Sequence, residues 1–263
     1  MHVGILGVGI LCAGLEGWAN SRAMLGGILP YTPSSIPDPE ARLLQANERR
    51  RSSDSVRWAI EVAQEAIAGS GLDPREVATV FASSGGEMGV LDKLCRALAT
   101  SERIISPTLF HQSVHNTAAG YWGIATSCQQ SSTALSCYDD SCAAGLLEAV
   151  TYAAVEGRPV LFVAYDLPAP EPLSGARPIA LAFAAALVLT SSSHPALATV
   201  ALSLAGPDTY QATTMPSDDL ERIRLDNPAA RLLPLLRALA VKGRHTIHMS
   251  VLGGQQLVVE VES

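Results

Sequence analysis

The stretch SVHNTAAGYWGIATSCQQSSTALSCYDDSCAAGLLEAVTYAAVEGRPVLFV, Ser113 to Val163, decides the fold. In its second half Ala143, Leu146, Leu147, Val150 and Ala154 recur at the i, i+3, i+4, i+7, i+11 spacing of one buried helical face. Gly157 follows, and then Pro159-Val-Leu-Phe-Val-Ala164, a continuous apolar run suited to a central strand covered on both faces. A helix followed by a buried strand is half of an α/β layer.

The same alternation extends outward. Val3–Leu11 reads as a first buried strand ending in a Gly-rich turn, and the Pro-rich stretch Pro30–Pro39 must be loop. Ser52, Ser53 or Asp54 can cap a helix whose buried face is Val56, Ala59, Ile60, Ala63 and Ile67, stopped by Gly69 to Pro74. Val77–Ser83 is the next strand, and helices are expected at Leu91–Leu98, Ala118–Thr126 and after Asp140. Ile179–Leu189 and Leu197–Leu204 read as consecutive strands joined by a hairpin-like connection at Ser191–Pro195. Beyond them lies a polar linker, Gly206–Asp219, expected to be mobile. Asn227-Pro228 is a helix start, followed by the apolar stripe Leu232, Leu235, Leu236 and Leu239, with Pro234 expected to kink or shorten that helix. His245–Val251 and Leu257–Val261 are closing strands turning at Gly253-Gly254.

With 263 residues, 48% hydrophobic and 16% charged, the chain can bury one large core, and a single domain is expected. The net charge of −7 and the lack of any basic cluster beyond Arg49-Arg50-Arg51 argue against nucleic acid; those arginines read as a solvated helix start. Five cysteines, at 12, 95, 128, 137 and 142, include no CxxC pair, which suggests neither a zinc site nor a disulfide framework and fits a reducing, cytoplasmic setting. Val3–Leu15 lacks the basic flank of a signal peptide, and Leu11 before Cys12 spoils a lipoprotein reading. No other run reaches the roughly 18 apolar residues of a membrane span. The glycines of Gly4–Gly14 do not make a dinucleotide fingerprint, since Cys12 stands where a glycine or alanine is required and Asp38 lies in a Pro-rich loop. No cofactor is expected.

Four segments carry a family resemblance: Phe81-Ala-Ser-Ser-Gly-Gly-Glu87, Ser113-Val-His-Asn-Thr-Ala-Ala-Gly120, Asp140-Ser-Cys-Ala-Ala-Gly-Leu-Leu-Glu-Ala149 and Ala182-Phe-Ala-Ala-Ala186. On these, residues 1 to about 205 resemble the N-terminal half of a β-ketoacyl synthase, and most closely the chain-length-factor-like proteins of aryl polyene gene clusters. The resemblance implies a truncated, thiolase-like α/β fold, layered α-β-α around a mixed five-stranded sheet, with residues 206–263 forming a linker and a short extension packed on the same domain.

It also implies what is missing. In catalytic members a cysteine opens the helix that here follows Asp140; counting along this chain, that position falls on Asp139 or Asp140, with Cys142 too late and Cys137 too early. Both cysteines read as buried and structural. The two histidines that the second half of a ketosynthase supplies have no matching motif: His245 and His248, three apart on a strand, face opposite sides. No catalytic residue is therefore assigned.

By resemblance the chain pairs with a catalytic ketosynthase and helps to wall its acyl tunnel, with an acyl carrier protein reached through the complex. The tunnel and partner surface then fall on His111, Val114, His115, Asn116, Ala118 and Trp122. His111, Val114 and Ala118 are spaced to share a helical face, with His111 as plug. The plainer readings are that backbone groups satisfy His115 and Asn116, that Tyr121 and Trp122 are either interface or core, that Ser83–Gly86 is a loop needing positive φ, and that Asp139 or Asp140 caps the helix from Ser141. Two other functions stay open: a stand-alone acyltransferase or thioesterase using Cys142 or Cys137, and a homodimeric scaffold.

Overall fold

The computed structural model describes residues 1–35, 38–191, 196–207 and 209–263. The first part of the chain forms β1 (His2–Cys12), β2 (Leu15–Glu16), α1 (Trp18–Leu25), α2 (Ala46–Arg51), α3 (Asp54–Ser70), β3 (Ala78–Ala82), α4 (Met88–Leu98), α5 (Pro107–Gln112) and α6 (Thr117–Thr126). The second part adds β4 (Ser132–Leu135), α7 (Ser141–Glu156), β5 (Val160–Asp166), α8 (Leu173–Ala176), β6 (Phe183–Thr190), β7 (Ala198–Ala205), α9 (Asp218–Asp226), α10 (Leu233–Ala240), β8 (Arg244–Ser250) and β9 (Gln256–Glu262). No helix among the described residues is long and apolar enough to cross a membrane.

One mixed sheet runs β4-β3-β5-β6-β1-β7-β9-β8, with β2 paired to β1 alone. Strands β4, β3 and β5 are parallel and the other pairs antiparallel. Alternation along β5 sends Leu161, Val163 and Tyr165 into the core under α3 and α6, and Val160, Phe162 and Ala164 into the core under α7 and α10. The layering is therefore α-β-α, as the resemblance implies. The sheet has nine strands rather than five. β7 presents a second edge to β9, which adds the C-terminal hairpin to the same sheet.

Backbone touches backbone where α3 crosses β1. A Cβ on Gly9 would lie 2.1 Å from the Val62 carbonyl oxygen, and one on Gly7 2.0 Å from that of Ala66. These glycines serve close packing rather than a phosphate. The Ser53 hydroxyl caps α3, accepting from the Val56 amide at 3.2 Å, and all five expected face residues of that helix are buried. Its polar side gathers the preceding loops. Glu65 accepts from the amides of Ile10 (3.0 Å) and Trp18 (2.5 Å), Glu61 from Ala41 (2.7 Å) and Gln64 from Leu43 (3.2 Å).

Several expectations need correction. The three arginines close α2 instead of starting a helix, where their charge faces the negative end of the helix dipole. The strand expected from Ile179 begins at Phe183, because the Leu181 carbonyl accepts from Asn227 at 2.8 Å instead of joining the ladder. Asn227-Pro228 ends α9 and opens a 3-10 turn, Ala229–Leu232, that leads into α10; Pro234 sits in the first turn of α10, where a proline needs no donor. Part of the segment expected to be mobile packs on the fold: Met215 is buried and its amide donates to Glu221 at 2.8 Å, while Tyr210 stacks on His248 at 4.2 Å. The expected connection at Ser191–Pro195 lies largely outside the described residues.

Gly9→Val forces the α3 backbone off β1, so thermal denaturation should show a loss of about 3 kcal/mol or more, or no folded protein at all. Gly89→Ala, whose Cβ meets nothing within 4 Å on exposed α4, should instead be neutral or stabilise by up to about 1 kcal/mol.

Candidate functional site

The parallel strands β3, β4 and β5 end on one side of the sheet, and the loops that leave them build the site. The first is Ser83–Glu87, with Gly86 at φ 58°. Its hydroxyls and amides converge on one internal anion, the carboxylate of Asp166 at the end of β5. Asp166 Oδ1 accepts from Ser83 Oγ (3.0 Å), Ser84 N (2.9 Å), Ser84 Oγ (2.8 Å) and Gly85 N (3.3 Å). The turn that resembles a phosphate cradle thus holds a side chain of its own protein. Burial pushes Asp166 up to about 6, opposed by these donors, and pushes Glu87 up to about 7.

The second is the turn from β4 into α7, where the resemblance places a nucleophile. Tyr138 stands there at φ 53°, a left-handed backbone conformation, and is 63% exposed, with the Arg177 guanidinium 4.0 Å from its ring centroid. Asp139 is clamped between two arginines, with Oδ1 2.6 Å from Arg177 Nη1 and Oδ2 3.1 Å from Arg231 Nη2. Asp140 occupies the N-cap position of α7, yet its side chain makes no cap bond and faces Arg231 at 3.5 Å. The Ser141 hydroxyl braces the turn instead, accepting from the Cys137 amide (2.9 Å) and donating to the Tyr138 carbonyl (2.6 Å). These carboxylates are committed to ion pairs with arginines.

Thiol chemistry is disfavoured as well. Cys142 is 1% exposed in the core, and burial pushes its thiol up to about 12. Cys137 is half-buried rather than buried, and its thiol is raised by desolvation and by Asp140. Among the described residues, no group of three or more His, Cys, Asp or Glu is placed to hold a metal.

The third element is the connection between α5 and α6. His111, Val114, Asn116, Gly120, Tyr121 and Ile124 help to line a cleft of about 460 Å³. Phe110 (66%), Val114 (48%) and Ile124 (65%) expose apolar surface around it. His111 and Val114 do not share a helical face with Ala118, because α5 ends at Gln112 and α6 begins at Thr117. Ala118 and Trp122 are buried in the core under α3, so neither lines the cleft. Tyr121 is also buried and accepts from Gln112 Nε2 at 3.2 Å. His115 Nε2 lies 3.2 Å from the Ser83 carbonyl oxygen and burial lowers its pKa, whereas Asn116 is exposed and makes no side-chain cap bond. Far from this site, His245 follows the core-facing parity of Ile247, and His248 faces outward against Tyr210.

Sequence reasoning missed Asp166, Arg177 and Arg231. An acid closing the apolar run Val160–Asp166 was the available signal for the first. The arginines gave none, being 38 and 92 residues from Asp139.

This strand-turn-helix site, set on an α-β-α layer, matches known proteins. The family profile described as β-ketoacyl synthase, N-terminal domain, covers residues 21–243. The chain belongs to this family. No curated protein matches the sequence. Among solved structures, a ketosynthase (ApeO) in complex with its chain length factor (ApeC) from Xenorhabdus doucetiae matches with TM-score 0.72 and 21% identity, over 98% of this chain and 99% of that chain. A type II polyketide synthase acyl-carrier protein in complex with its ketosynthase bound to the hexaketide matches with TM-score 0.76 and 14% identity, over 100% and 99%. The ishigamide ketosynthase/chain length factor matches with TM-score 0.72 and 12% identity, over 100% and 99%. At these identities the likeness is one of fold, and the fold is that of the ketosynthases.

Two measurements follow from the site. A buried acid whose folded pKa lies above its unfolded value near 4 costs the fold its full penalty above the folded pKa, and that penalty is lost progressively as pH falls from the folded to the unfolded pKa. Asp166, at about 6, and Glu87, at about 7, should therefore lower stability as pH rises from 5 to 8, by an amount on the order of 2 kcal/mol each. In urea titrations at the two pH values, Asp166→Asn should flatten that slope; an unchanged slope would contradict the assignment. Iodoacetamide on the folded protein at pH 8 should alkylate exposed Cys95 and spare Cys142 by mass spectrometry.

Proposed function

We propose that this chain is a non-catalytic, chain-length-factor-like subunit that pairs with a catalytic β-ketoacyl-ACP synthase and shapes its acyl tunnel in polyene, polyketide or fatty-acid-type synthesis. The observation that carries the reading is the ion-paired turn. Where a condensing enzyme needs a thiolate, Asp139 is fixed between Arg177 and Arg231, and the adjacent Cys142 is buried with its thiol pushed up to about 12. A stand-alone acyltransferase or thioesterase on Cys142 or Cys137 gains no support from either thiol.

Support for a partner comes from the sheet edges. β8 is partly covered by the segment before α9, as Thr213 N donates to the His248 carbonyl at 3.0 Å and His248 N donates to Thr213 Oγ1 at 2.9 Å. β4 has no strand on its outer side among the described residues, and α6 with its exposed Ile124 packs beside it. An open edge next to an apolar cleft is suited to another chain. In this reading, residues 1–205 are the ketosynthase-like half and residues 206–263 an extension of it. His111, Val114, His115 and Asn116 face the partner, while Ala118 and Trp122 support that surface from beneath. An acyl carrier protein delivers the chain to the complex, by analogy with the ketosynthase solved with its acyl-carrier protein, and the cysteines without a CxxC pair fit a cytoplasmic setting.

Co-expression with a catalytic ketosynthase of the same organism should give a 1:1 complex by size-exclusion chromatography with light scattering. His111→Ala should then lengthen the products without reducing complex formation. A chain that stays monomeric and leaves the ketosynthase's products unchanged would overturn the proposal.

A further inference from the structure

We propose that the cavity between the starts of α3 and α4 binds a phosphate group, with Glu87 selecting a protonated oxyanion over sulfate. The site goes beyond the pairing proposed above and does not depend on it. The cavity, of about 360 Å³, is lined by the end of α2, the first turns of α3 and α4, and α5. Its charge is set by three cations, Arg50, Arg51 and Lys93, against Asp54 and Glu87. Asp54 is neutralised by a further cation, Arg57, at 2.5 Å. Among the described residues no ion pair engages Arg50, Arg51 or Lys93, and Arg50 donates to the neutral Asn47 side chain at 2.5 Å. This local excess of positive charge stands in a protein of net charge −7. Unpaired cations around a concave space attract an anion. The first amides of α4, at Met88 and Gly89, reinforce them, since the first turn of a helix has no carbonyl to take its donors.

An acid in such a cavity decides which anion fits. Glu87 holds the N-cap position of α4, yet its side chain makes no cap bond. It is 5% exposed, it lines the cavity, and its Oε1 has no hydrogen-bond partner among the described residues. A buried acceptor left unpaired costs stability, so the carboxyl calls for a donor. Ser53 and Ser55 at the start of α3 favour its charged form, whereas burial, Asp54 and the neighbouring Tyr165 of β5 oppose it. The balance leaves Glu87 at about 7, hence ionised at pH 8. Hydrogen phosphate meets both demands of the cavity: its oxygens accept from the cations and the α4 amides, and its own P–O–H donates to Glu87. Sulfate carries the same charge at pH 8 but no proton, so an ionised Glu87 repels it. A phosphate monoester, whose second pKa is about 6, takes up that proton on binding.

The test titrates the full-length chain by calorimetry at pH 8 with inorganic phosphate, sulfate and glycerol 3-phosphate. Inorganic phosphate should bind with a Kd below about 1 mM, and sulfate at least about tenfold more weakly, the loss expected when a hydrogen bond to a charged group is removed. Glu87→Gln, whose amide donates to either ion, should bind sulfate as tightly as phosphate and melt no lower than wild type. Lys93→Ala should weaken both ions by about threefold and leave their ratio unchanged. Tighter binding of glycerol 3-phosphate than of inorganic phosphate supports the site and assigns it to an organic phosphate; the reverse order supports it and assigns it to the free ion. Equal wild-type affinity for phosphate and sulfate, or a preference that survives Glu87→Gln, overturns the selection by Glu87. Absence of phosphate binding overturns the site, whatever the outcome of co-expression with a ketosynthase.

Discussion

The buried carboxylate of Asp166 ties the separate parts of the site into one body. Its side chain gathers Ser83, Ser84 and Gly85, and its backbone carbonyl accepts from Asn227 Nδ2 at 2.9 Å. Asn227 Oδ1 in turn accepts from the amides of Ala229 (2.9 Å) and Ala230 (3.3 Å), shaping the turn that carries Arg231 to Asp139. On the other side, the Ser83 carbonyl meets His115, at the start of the cleft-lining connection. One residue at the end of a central strand thus sets the loops after β3 and β5, the turn before α7 and the approach to α6. Among the described residues no cation pairs with Asp166; four donors on one oxygen take that place, and a buried charge so held costs stability, which raises its pKa.

The fold was largely legible because its strongest signals are periodic. The β5 run and the α3 face sit in the core as read, and the α7 stripe does so at Ala143, Leu146 and Val150, whereas Leu147 and Ala154 lie half-buried at its margin and Ala149 and Ala153 complete the buried face. The missed elements are short or polar. β4 is a four-residue, half-buried edge strand, and α9 buries only Leu220, Ile223 and a paired Arg224, so neither has an apolar period to detect. The cleft was legible as a place but not as a shape. The spacing of His111, Val114 and Ala118 fits one helix, but the chain breaks between Gln112 and Thr117, turning Ala118 inward. The site's charges were not legible, because ion pairs such as Asp139 with Arg231 depend on the packing of remote segments and leave no local pattern.

The turn before α7 is elaborate for its length. It holds a left-handed residue, Tyr138, beside an aspartate braced by two arginines that are brought from the end of α8 and from the turn before α10. Ion pairs at partly exposed positions contribute little net stability, since desolvation and side-chain ordering offset their attraction. Their clearer effect is to fix geometry. The network is therefore better understood as setting the shape of a surface than as stabilising the fold.

The same distinction applies to the sheet edges. An unpaired strand edge invites association with any extended chain, and proteins ordinarily cover, shorten or charge it. Among the described residues, this chain covers part of β8 with its own backbone and places no strand on the outer side of β4. β4 is short, with serine and threonine at its first two positions, which limits indiscriminate pairing, while Phe110, Val114 and Ile124 expose apolar surface nearby. Specific association therefore needs more than the edge. In the proposed pairing, the cleft lined by His111 and Val114 supplies a shape that a bare edge lacks, and shape is what separates one partner from the many that an edge alone would accept.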